Sequence, residues 1–507
     1  MSRKARNIIL LFLLFVFSSA PCYIFAAESL SGKYPGYNVI MIIVDCLRAD
    51  HLGCYGYTRN TSPNIDKFAA KNLVFTQAIT QAPTTLLSFA SFLTSQHVSK
   101  HGAINVERCL SDDALTLPEV LKIYNYQTAA FLGGLLLNPV YRLNQGFDTY
   151  DYKDDLHSSF SDTFPNALTW AKECKEKGKK FFILLHGNDL HTPYPSSVKP
   201  VYDTEYRGKF NNGKMAILDT TLDFYPQIYK KKYFNKPVAF ISIDDKDSEY
   251  IVSIDDKDSE YIVASYDTQI NHADDLVGKF LSELEISGVL DKTIVILTAD
   301  HGEGLFDHDY FFHEFNLYET TIRVPLIIKI PGCNARTISS PVQLIDLMPT
   351  ILDLLRIKSN NQMEGRSIVS LFSSEHKAAD IHKYIFTEST FGATSIRSNN
   401  RWKFIKYPDR IELFDLNKDP NEQVNLFDRQ KKIVIQLHEV LDKWYEKESH
   451  ASGKKTPVVV PSSRMVQNVE RRMRVMINII PKEEQRLKEL SEIEIKDLMK
   501  FLHEHSK

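Results

Sequence analysis

The chain has 507 residues, 43% of them hydrophobic and 25% charged, and a formal net charge of -3. That length exceeds the size at which one core usually stops growing, so a large domain with a smaller appendage, or two domains, is expected. The near-neutral balance supplies no basic field for nucleic acid, and the function has to be read from a site.

The N-terminal text "MSRKARNIILLFLLFVFSSAPCYIFAAES" opens with Arg3, Lys4 and Arg6, continues with an apolar run from Ile8 to Phe17, and reaches small residues at Ala26 and Ala27. This order reads as a signal peptide over 1–27, which would place the mature protein in the periplasm or outside the cell. The alternative is an uncleaved anchor that holds the protein at a membrane surface. Six cysteines are present, and Cys22 falls in the leader. The remaining five cannot all pair internally, no CxxC occurs, and the disulfide pattern stays open.

Three apolar, β-branched or aromatic runs read as buried strands: "YNVIMIIV" (37–44), "KKFFILL" (179–185) and "KTIVILT" (292–298). The first runs into Asp45. The second runs into His186, with Asn188, Asp189 and His191 close behind, and the third into Asp300 and His301. Helical patterns lie between them, including "SPNIDKFAAKN", "TLPEVLKIYN" and "YDTQINHADDLVGKFLSELEISG". The alternation predicts an α/β fold with a large, mostly parallel sheet flanked by helices, and ligands bind such sheets beyond the carboxyl ends of the strands.

In "APTTLLSFASFLTS", Leu86, Phe89, Ala90 and Leu93 mark one apolar face of a helix that starts at Thr84 and Thr85. A threonine there is ordinarily a cap, and Thr84 is the one expected to serve as it. Beside a metal such a threonine is a nucleophile instead, because the helix N-terminus favours negative charge and the cation activates the hydroxyl. Asp45, Asp300 and His301 offer two hard oxygens and one imidazole, which suits one divalent ion: manganese, zinc or, with more oxygens, calcium.

A helix is expected over 340–355, with Pro349 tolerated by local geometry. Beyond it "KYIFTEST", "TSIRS", "RWKFIKY" and "IELFDL" predict a small antiparallel sheet. The predicted domains are therefore 28–375 for the catalytic α/β unit, 376–450 for the small sheet, and 451–507 for a charged helical tail. The segment "SIDDKDSEYIV" occurs twice in tandem, at 242–252 and 253–263. It lacks the glycine that a calcium loop needs. The second copy flows into the following helix, so the first copy reads as an inserted loop.

Taken in order, "NVIMIIVDCLRADHLGCYGYTRNTSPNIDKFA", "HTPY", "TIVILTADHGEG", "HEFNLYETTIRVPLIIKIPG", "LIDLMPTILDLL" and "ELFDLNKDPNEQVNL" resemble the sulfatase family of the alkaline phosphatase superfamily, over about residues 38–427. The resemblance implies cleavage or transfer of a sulfate or phosphate ester. It assigns Asp45, Thr85, Asp300 and His301 to the metal, Thr85 to the nucleophile, and His191 and His313 to the transferred group. The chain departs from the family at marked positions. Where formylglycine sulfatases carry CxPxR, it has Thr85, Leu87 and Phe89, and the second of two paired aspartates is Cys46. The lysine and histidine often found after "LPEVLK" are not evident in 131–148.

These departures resemble the threonine-using phosphoethanolamine and glycerol-phosphate transferases of bacterial envelopes, and they favour phosphate mono- or diester chemistry, with phosphotransfer as an option. Sulfate ester hydrolysis on a sulfated saccharide or aryl sulfate is the first alternative. An inactive relative that binds an anionic polymer is the second. The expected partner is an anionic ester carried by a small molecule, a saccharide or an envelope polymer; a nucleic acid is not expected. His186 and Cys46 read as packing residues first and as site residues second, whereas His308 is evenly placed between the two.

Overall fold

The computed structural model describes residues 29–192, 217–218, 238–242, 249–253 and 256–451, apart from 107, 154–157, 309, 311, 315, 360–361, 374–380 and 399–400. The proposed leader (1–27) and nearly all of the proposed tail (451–507) lie outside these residues, as do Pro193 and Tyr194 of "HTPY".

The three apolar runs form adjacent strands at the centre of a nine-stranded sheet. In chain order its strands are β1 (Asn38–Val44), β2 (Leu73–Ile79), β3 (Gln127–Gly133), β4 (Thr149–Lys153), β5 (Phe181–Gly187), β6 (Thr293–Thr298), β7 (Arg323–Lys329), β8 (Arg336–Ile338) and β9 (Val342–Gln343). The spatial order is β8-β2-β7-β6-β1-β5-β3-β4, with β9 also beside β2, and only β7 runs against the rest. Helices cover both faces, which is why β1, β5 and β6 are apolar throughout rather than alternating.

Register then determines what meets at the carboxyl edge. Ile43 of β1 lies opposite His186 of β5 and Thr298 of β6. Extending each strand by two residues brings Asp45, Asn188 and Asp300 to one level.

The helix of "TTLLSFASFLTS" is α2 (Thr85–Thr94), after α1 (Pro63–Ala69). It departs from the amphipathic expectation, since all ten residues are buried. Its polar positions are satisfied internally: Ser88 Oγ donates to the Asp300 carbonyl at 2.8 Å, Ser91 Oγ meets His101 Nε2 at 3.0 Å, and Thr94 donates to the Ala90 carbonyl at 2.6 Å. Helices α3 (Leu117–Ile123) and α5 (Asp256–Ile286) follow the expected patterns, α5 extending ten residues further towards the N-terminus than the pattern from Tyr266, whereas α4 (Phe160–Glu176) was not singled out in the sequence.

The expected single helix over 340–355 is three elements instead: β9, a 3-10 turn over Leu344–Asp346, and α6 (Leu347–Leu354). Pro349 is the third residue of α6, within the first turn, where its missing N–H has no intrahelical partner to lose. The four C-terminal runs form an antiparallel sheet of β10 (Tyr384–Glu388), β11 (Thr394–Ser398), β12 (Trp402–Lys406) and β13 (Ile411–Asp415), closed on one side by α7 (Lys431–Ala451). A buried ion cluster ties this sheet to the main unit: Lys403 Nζ lies 3.0 Å from both Glu319 and Glu422, and Arg397 lies 3.1 Å from Glu319. No helix among the described residues is long and apolar enough to cross a membrane.

Candidate active site

The carboxyl edge of β1, β5 and β6 collects most of the titratable side chains singled out in the sequence. His301 Nε2 stands 3.5 Å from Asp45 Oδ1, 3.4 Å from Asp300 Oδ2 and 3.3 Å from Thr85 Oγ1. The tautomer follows from the other nitrogen. His301 Nδ1 is 2.9 Å from the Gly302 carbonyl, which only accepts, so Nδ1 carries the proton and Nε2 presents a lone pair to the two carboxylates and the hydroxyl. Gly302 is required here, since a Cβ would stand 2.0 Å from the Thr320 carbonyl oxygen.

Thr84 and Thr85 divide differently from the expectation that Thr84 caps the helix. Thr84 occupies the N-cap position, but its hydroxyl makes no capping bond and is buried without a hydrogen-bond partner among the described residues. Thr85, the first residue of α2, turns its hydroxyl to His301.

His191 and His313 face the same space, with ring centres 5.5 Å apart, and the His313 ring lies 4.3 Å from that of His301. His191 Nδ1 donates to the Thr192 carbonyl at 2.6 Å, and His191 is partly exposed. His313 Nδ1 lies 3.3 and 3.4 Å from the two oxygens of Glu303. Burial, with His191 beside it, pushes the His313 imidazole down to about 3. The His308 ring stacks on that of Tyr318, with ring centres 3.7 Å apart.

Negative charge is concentrated at this edge. Asp45 is pushed well above the usual carboxylate range by burial and then by Asp300. Among the described residues neither aspartate pairs with a lysine or arginine, and Asp300 Oδ2 has no hydrogen-bond partner. Two adjacent buried carboxylates, one with an orphaned oxygen and both facing an imidazole lone pair, are a donor set that a divalent cation would satisfy. Sets of three donors within 4.8 Å of one another are Asp45, His186 and Asp300; Cys46, His301 and His313; and Asp45, Cys46 and His191.

Three residues that the reading of the sequence did not single out are built into this edge. Glu303, two residues after His301, is fully buried and pushed up to about 7 by burial. Its place in "DHGEG" was the available signal. Arg48 forks between Asp50 at 2.7 Å and Asp307 at 2.6 Å and also donates to the Glu303 carbonyl at 3.2 Å, tying the end of β1 to the loop that carries Glu303 and His313. That loop holds Phe306, Phe312 and Glu314 at φ values of 72°, 73° and 77°, a local strain of the kind found around functional groups. Tyr266 of α5 donates to the Cys46 carbonyl at 2.7 Å and accepts from the Arg48 N–H, holding the turn after Asp45. Cys46 sits in that turn at φ 58°, and burial and Asp45 push its thiol well up, so it is a neutral thiol that donates to Asp45 at 3.4 Å. The five cysteines among the described residues are all free thiols.

Residues 37–357 match the family model described as Sulfatase, and 306–447 match the model described as N-sulphoglucosamine sulphohydrolase, C-terminal. The chain belongs to the sulfatase family. An arylsulfatase of Clostridium perfringens (strain 13 / Type A) is 27% identical over 471 residues, spanning 82% of this chain and 96% of that protein. A structure captured with its substrate D-glucosamine-2-N,6-O-disulfate superposes with a TM-score of 0.62 at 20% identity, over 82% of this chain and all of that one. A phosphonate monoester hydrolase of Agrobacterium radiobacter superposes with a TM-score of 0.61 at 18% identity, over 81% of this chain and 96% of that one. The architecture, a large mostly parallel sheet with a small antiparallel one, is that of these sulfatase neighbours. Members of the sulfatase family are hydrolases that bind a divalent metal ion.

Proposed function

We propose that this sulfatase-family chain is an exported, metal-dependent hydrolase of an anionic ester, with Thr85 as nucleophile and a phosphate or phosphonate as the preferred transferred group. The observation that carries the proposal is the Thr85 hydroxyl, held at the first residue of a buried helix and 3.3 Å from His301 Nε2, on the side of the ring that faces Asp45 and Asp300. Asp45, Asp300, His301 and Thr85 would hold manganese, zinc or calcium. The ion would supply charge neutralisation and lower the pKa of an adjacent hydroxyl.

Thr85 Oγ would form the new bond to the central atom while the bond to the ester oxygen breaks. The first turn of α2 directs backbone N–H groups at the transferred oxygens, and His191 and His313 would bind them. Chemistry decides between the central atoms. A formylglycine hydrate releases its sulfate by collapsing to the aldehyde, whereas a threonine ester has no such exit and must be opened by attack at the central atom. Displacement of that kind is facile at phosphorus.

A second reading, sulfate ester hydrolysis, is favoured by the arylsulfatase that matches across 96% of its own length. A panel of p-nitrophenyl phosphate, bis(p-nitrophenyl) phosphate, p-nitrophenyl phenylphosphonate and p-nitrophenyl sulfate separates the two. The first reading expects turnover of a phosphorus ester and, on rapid quench, a phosphoryl adduct on the peptide containing Thr85. Turnover of the sulfate alone would overturn it. Release of nitrophenol in excess of inorganic phosphate when an alcohol is present would identify transfer rather than hydrolysis. No turnover of any ester would favour an inactive relative that binds an anionic polymer, on a saccharide or at a membrane surface.

A further inference from the structure

His186 was expected to be a packing residue, and its surroundings contradict a purely packing role. It is fully buried at the end of β5, one strand from Asp45. Its Nδ1 lies 2.7 Å from the Gly133 carbonyl and must therefore donate to it, which leaves Nε2 as an unprotonated acceptor. That Nε2 has no hydrogen-bond partner among the described residues; neither has Asp300 Oδ2, which it faces at 4.0 Å. Two buried acceptors pointed at each other are unfavourable for both unless something electron-poor lies between them. The ring cannot turn away, because Phe89 meets it edge to face, with ring centres 5.2 Å apart and planes at 88°. Phe89 is itself fully buried in α2, at the position where the family motif carries arginine.

We infer that His186 Nε2 is an additional ligand of the metal held by Asp45, Asp300 and His301, giving a donor set of two carboxylates and two imidazoles that selects a transition metal over calcium. The inference rests on the metal reading above and deepens it. Three of the six separations between these donors are 3.4, 3.5 and 4.0 Å, and Asp45, His186 and Asp300 each offer an atom within 4.8 Å of the others. Ligands about 2.0 to 2.2 Å from one zinc-sized ion stand at most about 4.4 Å apart, so each of these three separations is compatible with one small ion. Calcium takes six to eight oxygens, and two of these four donors are nitrogens. From α2, Phe89 packs edge to face on the His186 ring and holds it turned towards Asp300. Both imidazoles fix their tautomer through Nδ1–H bonds to backbone carbonyls, the arrangement by which metal-bound histidines are oriented.

The test uses the full chain, stripped with a chelator and titrated with Zn²⁺, Co²⁺ and Ca²⁺. His186→Asn is the informative variant, because the asparagine amide can keep the bond to Gly133 while Nε2 is lost. Its Zn²⁺ affinity should fall by at least about 100-fold, the upper end of what loss of an outer partner costs. A smaller loss overturns the inference. In the Co²⁺-loaded wild-type protein, proton NMR should show a paramagnetically shifted, exchangeable imidazole N–H with a nuclear Overhauser contact to the Phe89 ring. Its absence overturns the assignment even if the variant fails to fold. Calcium binding as tight as zinc would overturn the choice of metal class. If Asp300→Ala abolishes Zn²⁺ uptake while His186→Asn retains it, His186 falls and the metal reading stands; if the wild-type chain takes up no metal, both fall.

Discussion

Replacing Thr85 by alanine separates a nucleophile from a helix-start residue, because the structure makes the two costs very different. The side chain supplies no cap, since the N-cap position belongs to Thr84 and neither hydroxyl makes a capping bond there. What Thr85→Ala removes is one methyl group from a buried position and one hydrogen bond to His301. A net hydrogen bond is worth about 0.5 to 1.5 kcal/mol and a buried methyl about 1 kcal/mol, so the folded state should lose about 1.5 to 2.5 kcal/mol. The protein should therefore remain folded at 25 °C, with a melting temperature lower by a few degrees. Turnover of the best phosphorus ester should fall by at least about 1,000-fold, which is about 4 kcal/mol in the activation barrier and more than the stability change could produce. Thr85→Ser keeps the hydroxyl and should retain measurable turnover; Thr85→Val keeps the shape and should not. Calorimetry paired with initial-rate kinetics on the four proteins makes the comparison. Near-wild-type kcat/KM in Thr85→Ala or Thr85→Val would refute the nucleophile, and attack by an activated water would then replace it.

Lys403→Met strands Glu422 and leaves Glu319 with Arg397 in the buried cluster beneath the small sheet, and should cost about 3 to 5 kcal/mol, read as a loss of chemical-denaturation stability, with activity per folded molecule unchanged. Burial alone would raise Glu319, but Arg397 and then Lys403 hold it at about 2, below the ordinary 4.5. Its folded pKa is thus depressed, so its contribution is complete above about 4.5 and is lost as pH falls through about 2; Glu319→Gln should flatten that acid limb in a stability-against-pH series. The first repeat copy, 242–252, is not the loop expected from the sequence, since Glu249–Ser253 is a strand paired antiparallel with Val238–Ser242 in a small sheet that shares no strand with the nine-stranded one; because that sheet is separate, deleting the copy should change stability little. Insoluble protein after that deletion, or lost metal uptake, would reject its assignment as an insertion.

The strand ends were legible because a buried strand is a continuous apolar run and stops where polar chemistry begins. Asp45, Asp300 and His301 each come soon after such a run, and parallel register then brings them to one level. The four short strands of the C-terminal sheet were legible for the related reason that turn residues separate them. Thr84 was misread because capping depends on where the hydroxyl turns, and the sequence carries no record of that. The helix α2 was misread as one-faced because serine and threonine look exposed in a pattern, yet here Ser88 and Ser91 are buried by donating or accepting within the core. Arg48 and Glu303 were overlooked for a common reason: their partners lie hundreds of residues away or across the site, and only the fold brings them together.

The tandem repeat shows most directly where local reading ends. The text "EYIV" lies in the strand Glu249–Ser253 in the first copy and within α5 in the second, as residues 260–263. Identical residues cannot differ in intrinsic propensity, so the chain on their C-terminal side must decide. After the second copy Ile262, Tyr266, Ile270, Ala273, Val277, Phe280 and Leu284 continue at helical spacing, and all are buried, so that copy is carried into a helix by the core it helps to cover. The first copy is succeeded only by the second, whose opening "SIDDKDS" offers no such stripe. The same dependence on distant partners governs His186. As one letter at a strand end it reads as packing; with Gly133 fixing its proton, Phe89 fixing its plane and Asp300 facing its lone pair, it becomes a donor whose lone pair points into the site.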